Sequence, residues 1–248
     1  VGEGHARLDR LRTTAAVSSV LAPESEVALF GHWICPFSTR VEFALVERTI
    51  PFALVDVPPT AARPPGYVVP DEFVRHSPRG EIPMVRVGDR YRADSLPILA
   101  WLEEVRNEPS LVPEGAGPAG LAWERAGWLD ANLYPAMIGI YYGTDDRLVA
   151  GASDALGDTL VEIDRWLGDG EWLAGERISV AEAVMVPFYV RRRGLERLGL
   201  RAELPDRVAR HEAATMDRPA GRAVAWSGEQ TEEFVGRFER YRVSRRSR

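Results

Sequence analysis

The hydrophobic period changes once along this chain. Before residue 107, short apolar runs of strand length alternate with stretches of helical period; after residue 120 only the helical period remains. Residues 107 to 120 between them are rich in Pro, Gly and Glu, the composition of a connecting segment. A chain patterned this way is expected to fold as two units, an α/β unit followed by an all-α unit. The predicted boundaries are an N-terminal extension over 1–25, a sheet-containing domain over 26–107, a linker over 108–120, a helical domain over 121–242 and an Arg-rich tail over 243–248.

Within the first unit, Val27 to Phe30 reads as a strand. Pro36 opens a helix with Phe37, Val41, Ala44 and Leu45 on one face. Phe52 to Val57 reads as a second strand, Pro58 to Pro70 as a proline-rich loop, and Asp71 to His76 as a short helix. A hairpin over 83–87 and 90–92 turns at Gly88-Asp89, and a helix follows Asp94-Ser95 with Leu96, Leu99, Leu102 and Val105 in one stripe. The order is β-α-β-α-β-β-α. In the second unit, Leu129, Leu133, Met137 and Ile140 form a stripe expected to kink or break at Pro135. Leu156, Leu160, Ile163 and Leu167 form another. Ser179-Val-Ala-Glu182 fits a capping box, and further helices are expected near 205–217 and 229–242.

Composition narrows the function. The 248 residues carry 31 basic and 37 acidic side chains, a net charge of −6, which argues against nonspecific nucleic-acid binding. The single cysteine, Cys35, excludes an internal disulfide, a Cys-rich zinc site and a two-cysteine redox couple. The four histidines form no HExxH, so no metal is expected. The longest apolar run, Ala183 to Val190, is too short to span a bilayer, and no signal-peptide pattern is visible, so no membrane partner and a cytoplasmic location are expected. All 31 basic residues are arginine; Asn and Gln are nearly absent too. This is the bias of a GC-rich coding sequence, expected of a bacterium.

Three motifs carry chemistry. Cys35-Pro36-Phe37-Ser38 lies between a strand and a helix. Proline suits the first helical position, where its missing N–H costs nothing, and this places Cys35 at the N-cap. A helix N-terminus favours a thiolate, the nucleophilic form of cysteine. Ser38 removes the partner of a Cys-x-x-Cys cycle, so redox chemistry here needs an external thiol. Ile82-Pro83 starts the hairpin, where a proline that cannot donate to a ladder belongs. An extended Ile82 would offer backbone groups to a peptide-like ligand. Asp94-Ser95 starts a helix, where Ser95 and the first amides suit a carboxylate and Asp94 an ammonium.

Taken together, HWICPFSTRVEFAL, HSPRGEIPMV, ADSLPILAWLEE, ISVAEAVMVPF and DRPAGRAVA resemble the glutathione S-transferase superfamily over roughly residues 26 to 240. The resemblance implies a thioredoxin-like N-terminal domain and an all-helical C-terminal domain. It implies a cis Pro83, an Ile82 that pairs with the backbone of glutathione, and Asp94 and Ser95 at the γ-glutamyl end, with Pro36 and Phe37 beside the thiol. Cys35 resembles the catalytic cysteine of omega-type and dehydroascorbate-reductase-type members, which implies thiol transfer to, or thiol-dependent reduction of, a hydrophobic electrophile. A thiol-dependent cis–trans isomerase of a conjugated olefin, similar to maleylacetoacetate isomerase, and a noncatalytic ligand-binding member remain alternatives. Members often carry Lys or Gln where Glu81 stands; with no lysine available, Arg75 and Arg79 are the cations left for that role, and the thiol is glutathione or another small thiol such as mycothiol. Trp33, Trp128, Tyr134, Met137 and Tyr141 are the candidate wall for the second substrate, although helix aromatics more often belong to a core. A homodimer is expected from the family.

Overall fold

A computed structural model describes residues 26–105 and 109–246, and these divide into two compact units at Ser110/Leu111. The expected extension over 1–25 lies outside the described residues.

The first unit is built on a four-stranded sheet: β1 (Val27–Gly31), β2 (Ala53–Asp56), β3 (Met84–Val87) and β4 (Arg90–Ala93), in the spatial order β2-β1-β3-β4. β1 runs parallel to β2 and antiparallel to β3; β3 and β4 form the antiparallel hairpin. All five residues of β1 are buried, so the strand reads as a continuous apolar run. The two faces nonetheless separate by the two-residue period. Val27 and Leu29, with Val85 and Val87, pack on α1 (Pro36–Glu47) and α3 (Ser95–Val105) through Val41, Leu45, Ile98, Trp101 and Leu102. Ala28, Phe30 and Met84 face the other way, onto Phe73 of α2 (Asp71–His76).

Local chemistry fixes the ends of these elements. α2 carries Asp71 and Glu72 in its first turn and Arg75 and His76 in its last, matching the helix dipole at both ends. Gly88 takes φ 60°, the left-handed value a two-residue hairpin loop needs at its first position. The loop after β2 is not wholly irregular: Thr60–Ala62 make a 3-10 turn, and the Arg63 guanidinium donates to the Pro58 carbonyl at 3.1 Å. Past the end of α1, buried Arg48 donates to the Pro109 carbonyl at 2.8 Å and pairs with Glu103 of α3 at 3.2 Å.

The second unit is helical: α4 (Ala116–Tyr142), α5 (Asp146–Leu167), α6 (Val180–Leu198), α7 (Asp206–Met216), α8 (Pro219–Val224) and α9 (Gly228–Arg246). α6 is its centre, buried almost along its length, and packs on α4, α7 and α9. Three expectations shift. α4 begins at Ala116, so the connecting segment is shorter than its Pro- and Gly-rich composition predicts. α4 also runs through Pro135 unbroken. Pro135 and Ala131 both lie on the exposed face, so the Ala131 carbonyl that loses its donor is on the solvated side of the helix. Residues 243–246, expected as a solvated tail, continue α9.

Candidate functional site

β1 ends at Gly31, and a tight turn over His32 to Cys35 leads into α1. The Cys35 N–H donates to the His32 carbonyl at 3.0 Å, and the Ile34 N–H donates to His32 Nδ1 at 3.2 Å, so the imidazole braces the turn. Cys35 is the N-cap of α1, with φ −84° and ψ 119°, and Pro36 follows at the first helical position. The helix comes close to the strand end here: a Cβ on Gly31 would lie 2.9 Å from Ser38 Oγ, which makes glycine necessary at that contact. Across from the imidazole, Asp56 at the end of β2 faces His32 Nε2 at 3.8 Å. Partial burial raises the Asp56 carboxyl above its ordinary value, and His32 opposes that shift.

Cys35 is 7% exposed, and its Sγ donates to the Ile82 carbonyl at 3.9 Å. The Ile82–Pro83 peptide is cis. Ser77 Oγ donates to the Glu81 carbonyl at 3.0 Å and the Gly80 N–H to the Ser77 carbonyl at 3.0 Å, which hold the loop before it. The Asp94 N–H donates to the Pro83 carbonyl at 3.3 Å and ties the start of α3 to the same place. Asp94 adopts φ 73°, a left-handed conformation that short polar side chains tolerate better than most. Its side chain is half-exposed, while Ser95 is buried. Cys35, Ile82, Pro83, Asp94 and Ser95 are thus linked by a chain of short contacts within one unit. Trp33 and Phe37, both half-buried, flank the cysteine in sequence. Among the described residues, no group of three or more His, Cys, Asp or Glu side chains is placed to hold a metal.

Residues 34–105 match the profile of the glutathione S-transferase N-terminal domain, a span that contains Cys35, Ile82, Pro83, Asp94 and Ser95. This span belongs to the glutathione S-transferase superfamily. A rice protein named probable glutathione S-transferase DHAR2, chloroplastic, is 30% identical over 158 residues, 62% of this chain and 50% of that protein. A Drosophila melanogaster probable maleylacetoacetate isomerase is 30% identical over 166 residues, 64% of this chain and 66% of that protein. The chain therefore spans about half to two thirds of the length of these curated relatives. Among solved structures, a rice glutathione S-transferase in complex with glutathione superposes with a TM-score of 0.76 at 22% identity, covering 88% of this chain and 99% of that one. A Trametes versicolor glutathione transferase Omega 3C superposes with a TM-score of 0.75 at 15% identity, covering 98% of this chain and 99% of that one. These likenesses show the glutathione S-transferase fold: the small mixed sheet of the first unit and the helical second unit.

Most of the expected α4 wall lies inside the helical unit. Tyr134 is 2% exposed and its hydroxyl donates to the Val184 carbonyl of α6 at 3.0 Å. Met137 is fully buried. Tyr141 is buried against Phe234 and Phe238 of α9, with ring centroids 5.3 and 4.5 Å away. Tyr142, its neighbour, is 42% exposed, as two consecutive helix residues must diverge. Trp128 is half-buried and packs edge-on against Trp166 at 4.7 Å. Sequence reasoning assigned no role to His32, because its partners are the amide two residues on and an aspartate from another strand. The only signal in the sequence was an imidazole between a strand and Cys35.

Proposed function

We propose that this chain is a cysteine-type glutathione S-transferase that moves a thiol group through Cys35. The observation that carries the reading is the placement of Cys35: an N-cap thiol on α1, in contact with the carbonyl that precedes the cis Pro83. The Cys35 thiolate attacks a glutathione mixed disulfide at its glutathionyl sulfur. A Cys35–glutathione disulfide forms and the other thiolate leaves, taking up a proton from solvent. A second glutathione, as thiolate, attacks the Cys35 disulfide, releases oxidised glutathione and restores Cys35. One mixed disulfide and one glutathione thus give one free thiol and one oxidised glutathione. In this reading Ile82 aligns the cysteinyl backbone of glutathione, Asp94 and Ser95 take its γ-glutamyl end, and Pro36 and Phe37 border its sulfur. Trp33, beside the cysteine in sequence, is proposed to meet a hydrophobic electrophile. A homodimer and a cytoplasmic location belong to the same proposal; no described helix is long and apolar enough to cross a membrane.

Incubation with oxidised glutathione should add one glutathionyl group to the intact mass, and Cys35→Ser should abolish both the adduct and turnover. A wild-type protein that gains no adduct, or a Cys35→Ser protein that keeps its activity, overturns the reading. The similarity to maleylacetoacetate isomerases supports a second reading, in which a thiol adds reversibly to a conjugated olefin. Product of unchanged mass from a cis-olefinic acid, dependent on glutathione, distinguishes it.

A further inference from the structure

His32 belongs to the candidate site, yet the thiol exchange above gives it no step. It opens the turn that ends at Cys35, and its side chain is only 12% exposed. Two bonds cross that turn. The Cys35 N–H donates to the His32 carbonyl at 3.0 Å, and the Ile34 N–H donates to His32 Nδ1 at 3.2 Å. A backbone amide can only donate, so Nδ1 holds a lone pair there and the ring proton sits on Nε2. That edge of the ring faces Asp56 Oδ1 at 3.8 Å. Asp56 pairs in register with Gly31, and the Val57 N–H donates to the Gly31 carbonyl at 2.9 Å. The backbone that carries the carboxylate is therefore fixed beside the turn.

The bond to Nδ1 has two states. With a neutral ring it closes the turn as an Asn or Asp side chain does when it accepts from the amide two residues on. In the imidazolium Nδ1 carries a proton, the Ile34 N–H meets a second donor, and the bond is lost. The loss falls next to Cys35, because Ile34 immediately precedes the N-cap. A helix N-terminus favours a thiolate, and its pull fades within the first turn, so the path of the backbone into α1 matters to the thiol. Other charges bear on the ring. Asp56, from β2, attracts a second ring proton. In the loop after β2, the Tyr67 hydroxyl donates to the Asp56 carbonyl at 2.8 Å, and Arg63 acts electrostatically on Tyr67. The Trp33 ring, 5.5 Å from the imidazole, adds no charge.

We propose that His32 is a positioning residue for Cys35: its neutral imidazole holds the thiol at the N-cap of α1, and protonation of the ring releases that hold. The inference rests on the reading of Cys35 as the reacting thiol. It adds the group that keeps the thiol in place and the direction in which pH controls it.

Alkylation of Cys35 by iodoacetamide, followed by intact mass between about pH 5 and pH 10, provides the test. Each rate is taken as a fraction of that protein's own alkaline plateau, so that it reads the thiolate fraction and not access. At pH 7, His32→Ala should fall about two- to fivefold below the wild type, the range for a charge at a helix terminus. His32→Asn should match the wild type there, because its amide oxygen accepts from the same N–H. Between about pH 7 and pH 5 the wild type should fall about two- to fivefold further than His32→Asn, which has no ring to protonate. A His32→Ala profile that coincides with the wild type overturns the proposal. So does a His32→Asn protein no better than His32→Ala, or a wild type that falls no more steeply than His32→Asn. The comparison of wild type with His32→Asn carries the test if His32→Ala does not fold. Iodoacetamide needs no glutathione. The expected profiles in a protein that gains no glutathionyl adduct uphold this inference and overturn the thiol-transfer reading; an adduct on Cys35 with coincident profiles does the reverse.

Discussion

Cys35 owes its position to Pro36. A proline after a strand can open a helix only at its first turn, so the dipeptide alone placed the thiol at an N-cap, where the structure has it. Asp94 and Ser95 were legible for a similar reason, as acid and hydroxyl at a helix start. In the sequence Arg79 reads only as a stand-in for a missing lysine. Its link to Asp94 spans 15 residues and depends on the loop's path, which no local pattern encodes. Tyr189 is a residue whose environment sequence did not expose at all. It is buried on α6, its hydroxyl 2.7 Å from His211 Nδ1, and burial, then Glu212 and Glu182, push its phenol well above 10.0. The folded state therefore keeps a proton that the unfolded state releases. Stability should be flat below the unfolded value and fall as pH rises above about 10. Urea midpoints between about pH 8 and pH 11 should show that fall in the wild type and a shallower one in Tyr189→Phe. A variant with an identical slope would mean the tyrosine is not the group responsible.

At the scale of elements, α6 shows how much one cap does. Ser179 accepts from the Ala181 N–H at 3.2 Å, and Glu182 accepts from the Ser179 N–H at 2.6 Å, closing the capping box read from the sequence. The structure adds what the motif does not show. Glu182 also accepts from the Leu173 N–H at 2.5 Å and faces His211 Nε2 at 3.3 Å, all with the carboxylate fully buried. The box thus joins the segment before α6 to α7. Ser179→Ala should cost about 1 kcal/mol, the usual value of a lost N-cap. Glu182→Gln should cost more, about 1–3 kcal/mol, because an amide donor would then face buried donors. Denaturant unfolding of both variants checks the order; equal losses would mean the carboxylate's extra contacts contribute nothing. Pro135 in α4 shows the opposite case. Its residue type predicted a kink or break, but its place on the exposed face let the helix continue.

In the whole molecule, distant chain segments meet through arginine. Arg242 of α9 donates to the Ile140 carbonyl near the end of α4 and, at 2.9 Å, to the Leu198 carbonyl that ends α6. A cation at two helix C-termini is favoured by both dipoles as well as by the bonds. Arg242→Met should lower stability by about 1.5–3 kcal/mol, the range for hydrogen bonds to a charged group, and a thermal melt unchanged by it would refute the tether. The sequence by itself determined the order of elements in the first unit, the two-unit division, the cap of α6 and the placing of Cys35. Each depends on residues within a turn or two of one another, where period, proline and capping chemistry act directly. Only the tertiary structure decided the rest. Tyr134, Met137 and Tyr141 were drawn into the helical core, because α6 and α9 cover that face of α4. His32 met Asp56, and Arg79 met Asp94, because strand pairing and a loop's path bring together side chains that are far apart in the chain.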